Sequence, residues 1–164
     1  MRFALPLLFV LATPVLADSY AKPLGATPEA GELGHVYFSV CHPTRPGRME
    51  KGIVMARDAF GWEPMESEAD FAFATPDGAV SVTLDATLFD ATCEMKISKD
   101  VGGDGAALYE DLEAHLSDDT DGALPPAEYT DGGLIWSWER SAPYRLSYVE
   151  TETEFLITLA VGDL

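Results

Sequence analysis

The residues able to do chemistry in this sequence fall into five small groups, none of them a complete catalytic signature. The first is the pair Cys41 and Cys93, the only cysteines in the chain. Redox couples bring two thiols together at a helix start as Cys-x-x-Cys, a spacing absent here, so the pair is expected to form a structural bridge if the surroundings are oxidising. Closing a loop of that length restricts the unfolded chain by about 4 kcal/mol in the loop-entropy treatment.

The second group is a positive island in a negative chain. Arg45, Arg48, Lys51 and Arg57 lie within thirteen consecutive positions of a sequence holding ten basic and 28 acidic residues. Cations near a helix start oppose the helix dipole, so a compensating negative charge is expected there. It could be an anionic ligand at Arg45, Arg48 and Lys51, or the protein's own carboxylates, with Glu50 in the same turn.

The third group is the acid-rich stretch from Ser117 to Glu128, which echoes a calcium loop. With Gly122 as the sixth position, Asp119 and Asp121 fall at the third and fifth, Leu124 at the eighth and Glu128 at the twelfth. Such oxygens must converge on one ion about 2.3 to 2.6 Å away. Ser117, however, stands where a carboxylate is needed, and Pro125 and Pro126 follow where a helix should leave. A solvated helix-to-strand loop is the better reading, and no cofactor other than calcium is implied.

The fourth group, His35, His42 and His115, has no linking spacing, and neither a Gly-x-Ser-x-Gly elbow nor a His-Glu-x-x-His helix accompanies it. The fifth is Trp136 with Trp138. Alternation along a strand puts both rings on one side, where they form core if helices cover them and a ligand-binding or partner-binding surface if they do not.

The elements that must position these groups can be read from period and punctuation. Residues 18–30 are an irregular lead-in. Residues 31–41 fit a strand, through Val36, Phe38 and Val40, or a helix begun near Glu29. Met49, Ile53, Ala56 and Phe60 mark one face of a helix that Gly61 ends, with Trp62 folding back. Phe71 and Phe73, a turn at Pro76-Asp77-Gly78-Ala79, and Val80, Val82 and Leu84 read as a hairpin. A third strand runs from about Thr87 to Ser98. After a loop over 100–105, where Asp104 is placed to cap, Leu108, Tyr109, Leu112 and Leu116 mark a second helix. Strands follow at 128–130, 134–140, 144–150 and 154–161.

The order predicts an α+β fold, with two helices on one face of a mainly antiparallel sheet. Aligning Asp77-Gly78-Ala79-Val80 with Asp131-Gly132-Gly133-Leu134 suggests an internal duplication of an αβββ unit.

Compartment is read from the first residues. Arg2, an apolar run from Phe3 to Ala12, and Val15 with Ala17 have the layout of a secretory signal cleaved after Ala17, leaving a single domain over 31–164. The run is too short to span a bilayer, so no stable membrane anchor is expected after cleavage. The net charge of −18 disfavours nucleic acid and anionic lipid as partners. The expectation is a periplasmic or secreted acidic domain that binds an unidentified protein or small ligand without catalysis. An uncharacterised hydrolase and a calcium-stabilised structural protein are the alternatives.

Overall fold

The computed structural model describes residues 23–120, 122–130 and 133–162. The proposed signal at 1–17 lies outside the described residues, as do Asp121, Asp131 and Gly132.

The first half begins with a 3-10 turn, Ala30–Glu32, which runs into helix α1, Leu33–Cys41. The choice left open for residues 31–41 is thus resolved as helix. Leu33, Val36, Tyr37, Val40 and Cys41 are all fully buried, a set spaced at three, one, three and one that a helix gathers on one side and a strand splits between two. The lead-in is docked on the body: Gly25 N–H donates to Phe60 O at 2.7 Å, and the Thr27 hydroxyl donates to Asp77 Oδ2 at 2.5 Å.

Helix α2, Glu50–Val54, continues into a π turn, Met55–Ala59, in which Phe60 N–H reaches back five residues to Met55 O. Gly61, at φ +69°, stops it, and Trp62 folds back to 2 % exposure. Helix α3, Lys99–Gly102, is a short element where the sequence suggested only loop. Helix α4 spans Ala106–Asp119. The N-cap of α4 is Gly105, at φ +78°, and the sequence-predicted cap Asp104 sits one residue before it, with its Oδ1 accepting from Ala106 N–H at 3.1 Å.

Eight strands form one antiparallel sheet: β1 Glu63–Pro64, β2 Phe71–Ala74, β3 Val80–Ala86, β4 Asp90–Ser98, β5 Ala127–Thr130, β6 Gly133–Glu139, β7 Pro143–Glu150 and β8 Glu154–Gly162. Their order is β1-β2-β3-β4-β8-β7-β6-β5. Two four-strand meanders therefore meet at β4 and β8, which pair over nine positions from Asp90↔Gly162 to Ser98↔Glu154. The fold is α+β with an antiparallel sheet.

One strand boundary differs from the sequence reading. Pro143, read as a connection, opens β7, where the sheet edge at Glu139 ends the ladder. Asp77-Gly78 lies between β2 and β3; the positions aligned with it, 131 and 132, lie outside the described residues.

The core joins alternate strand residues to the helices. Val80, Val82 and Leu84 of β3, Cys93, Met95 and Ile97 of β4, Leu146 and Tyr148 of β7, and Phe155, Ile157 and Leu159 of β8 cluster with the buried residues of α1 and with Leu108, Leu112 and Leu116 of α4. The intervening Ser81, Thr83, Thr92, Glu94, Ser147 and Thr158 remain half-exposed. Period-two burial of this kind fixes strand register, since a one-residue slip would invert every side chain.

Candidate functional site

Cys41 and Cys93 are joined, with Cα atoms 5.3 Å apart, tying the C-terminal end of α1 to the centre of β4. The positive island begins just beyond that tie. Thr44, 1 % exposed, anchors the exit from α1 by hydrogen bonds to Cys41 O and Val40 O. Helix α2 then packs so closely at Gly52 that an added Cβ would lie 2.7 Å from Val40 O and 2.9 Å from Thr44 Oγ1. Any side chain there would push α2 off α1.

Between these contacts, Arg45-Pro46-Gly47-Arg48 forms a tight turn. Arg45 N–H donates to Arg48 O and Arg48 N–H to Arg45 O, both at 2.8 Å, so the two arginines are register partners. Gly47 supplies the left-handed φ of +65°. Its N–H donates to Thr87 O at 2.7 Å, bracing the turn against the β3–β4 connection.

The four cations have different fates. Arg45 is held from within: its guanidinium donates to His42 O and, at 2.7 Å, to Thr44 O, while its Cζ lies 4.9 Å from the centroid of the Tyr144 ring. Tyr144 in turn stacks on Trp138, with centroids 5.2 Å apart and planes at 17°. Arg57 pairs with Asp58 at 2.6 Å on the surface, which draws the Asp58 carboxyl below its usual range.

Arg48 and Lys51 form no ion pair and no side-chain hydrogen bond among the described residues. The expected internal partner, Glu50, is not within ion-pair distance of either. All three, with His42, Pro43 and Arg45, line a cleft of about 450 Å³. An unpaired Arg48 and Lys51 beside an internally held Arg45 favour an anion in the cleft electrostatically.

The two tryptophans part company. Trp136 is fully buried, with its ring 6.0 Å from that of Tyr109 of α4, and so forms part of the core. Trp138 is half-buried at the margin of the core. Through Tyr144 it connects to Arg45, a link that sequence reasoning missed.

Of the acid-rich stretch, Asp121 lies outside the described residues. Ser117 through Asp119 are the last turn of α4, the helix is closed by Thr120 N–H and Oγ1 on Leu116 O, and Glu128 lies on exposed strand β5. Among the described residues, no three His, Cys, Asp or Glu side chains form a metal-holding group.

The three histidines, unlinked by spacing, do converge. His35, Phe38, Ser39 and His42 share one face of α1, and His115 of α4 joins them: its ring stacks on Phe38 at 5.6 Å and lies 5.8 Å from His35. Asp111 of α4 ties the helices together, its Oδ2 accepting from His35 N–H at 3.2 Å and its carbonyl meeting His115 Nδ1 at 2.8 Å. A helical reading of residues 35–42 would have revealed the face, at steps of three, one and three. Ser39 makes no side-chain hydrogen bond among the described residues, so the patch presents no bonded nucleophile-and-base pair.

Among the described residues no helix is long and apolar enough to cross a membrane. No family model, no curated protein and no solved structure matches this chain.

Proposed function

We propose that this chain is an exported, acidic, non-catalytic binding domain, periplasmic or secreted, whose ligand presents an anionic group to Arg48 and Lys51. One observation carries the reading. In a sequence with 28 carboxylates, two neighbouring cations line a cleft with no carboxylate partner among the described residues. Chance pairing would be easy in so acidic a chain, so keeping this pair open is consistent with a site that an outside anion completes. The Cys41–Cys93 bridge supports export, since such bonds persist where thiols oxidise.

The topology supports two finer readings. The first is that the helices cover one face of the sheet, and the second is that the chain arose by internal duplication of an αβββ-type unit, a reading that the two meanders meeting at β4 and β8 support. Both of those strands have nine residues.

The test is thermal melting of the oxidised protein against rising inorganic phosphate and acetate, beside an Arg48→Gln/Lys51→Gln variant. Salts of this kind stabilise most proteins through exclusion, so the difference between the two proteins is the readout. A ligand at 100 times its Kd adds about 2.7 kcal/mol to the folded state. The parent should gain more than the variant while both melt alike without added anion. Equal gains would remove the anion site.

A further inference from the structure

The anion cleft does not end at Lys51. Its Pro43, Glu50 and Lys51 walls are shared with a second concavity of about 560 Å³, completed by Ser39, Val54 and Met55. This neighbour is largely apolar. Val54 is 46 % exposed although it follows the buried Gly52 and precedes the fully buried Ala56. The cause is helical spacing: Val54 lies two residues, about 200° around the helix, from Gly52 and from Ala56, so it faces away from the side that they bury.

We propose that the ligand is a small amphipathic anion, its carboxylate or phosphate held by Arg48 and Lys51 and its aliphatic or aromatic body lying on Pro43, Val54 and Met55. This rests on the anion reading above and adds the apolar half. Charge and shape argue for a small molecule. A polyanion meets the field of a protein with net charge −18, whereas a single head group placed between two cations lies within a Debye length, about 8 to 10 Å, of both. The two adjoining concavities fall in the roughly 300 to 1,000 Å³ range of small-molecule sites, and a site with one charged end and one apolar wall fits an amphiphile.

The experiment is calorimetric titration of the oxidised protein with acetate, hexanoate and decanoate below their micelle thresholds. Decyl phosphate serves as the alternative head group and decyl maltoside as the uncharged control. Full burial of a methylene gives about fourfold in affinity, so half-burial on an open shelf should give about twofold per methylene from acetate to decanoate. Val54→Ser should flatten that rise and leave acetate binding unchanged, while Arg48→Gln should weaken every anion. The ratio of decyl phosphate to decanoate affinity identifies the preferred head group. Acetate binding with no dependence on chain length would overturn the amphiphile and keep the anion site. Decyl maltoside binding as tightly as decanoate would also overturn it. Binding of no anion at any length would remove both readings.

Discussion

The two halves of the sheet reach the same four-strand meander by different means. In the second, one unbroken helix, α4, buries Leu108, Leu112 and Leu116 in the core, and it is held by packing and by the Asp111 bond to His35 N–H, with no disulfide. In the first, the helical layer is broken into α1, a tight turn, α2 and a π turn, and a disulfide fastens it to β4. Broken helices bury less continuous apolar surface and lose cooperativity at each interruption, so a covalent tie has more to contribute there. The interruption is also where Arg48, Lys51 and Val54 are left facing outward. Irregularity and the candidate site thus occupy the same stretch, held in place by a bond that the regular half lacks.

Removing the tie is the strongest way to break this contrast. Cys41→Ala/Cys93→Ala should cost about 4 kcal/mol in denaturant unfolding, with losses in hydrogen-exchange protection concentrated in α1 and α2. A cost under about 1 kcal/mol would mean that packing suffices in both halves. Next in size, Leu112→Ala should cost about 3 kcal/mol, because it opens a cavity in the apolar stripe by which α4 chiefly packs. If that variant loosened α1 and α2 before α4, the division of labour would be wrong.

The smallest effect sharpens the contrast by pH. Burial raises the Tyr37 phenol and lifts Tyr148 to about 12, while a hydrogen bond to Glu113 lifts Tyr109 to about 12. Unfolded, these phenols ionise near pH 10, so between about pH 10 and 12 the folded state binds more protons. Their contribution is fully present below pH 10 and fades as the pH climbs through 12. Urea melts across that window should show the decline, and Tyr148→Phe should lessen it. A flat profile would show that these rings are wetter than their packing implies.

Much of the fold was legible because its signals are local. The helix through Phe60, the hairpin at Asp77-Gly78 and the stripe from Leu108 to Leu116 each carry period and punctuation within a short window. The Asp77 turn is additionally fixed by its own side chain, which accepts from Thr27, Thr75 and Ala79 and is held below the usual carboxylate range mainly by the Thr27 bond. What escaped notice depends on distant partners. Residues 33–41 become helix because both Tyr37 and Phe38 find burial against other elements, which neither period predicts. Strand β1 is two residues paired with Ala74 and Phe73, too short to leave a pattern. In the site, the island of Arg45, Arg48 and Lys51 was visible, but only the fold separates the internally held Arg45 from Arg48 and Lys51. The stack from Arg45 through Tyr144 to Trp138 joins the turn between α1 and α2 to β7 and β6, a juxtaposition no spacing encodes.

The position of β8 at the middle of the sheet has a consequence for how the molecule assembles. It follows all the other strands in sequence, yet it is the seam on which both meanders close. Until residues 154–162 arrive, β4 and β7 each have an open edge, and the apolar residues of the core lack Phe155, Ile157 and Leu159. Pairings of such long sequence separation are slow to form. The polypeptide therefore stays unfinished while its earlier parts are being made, and both halves of the sheet lock only when β8 joins them.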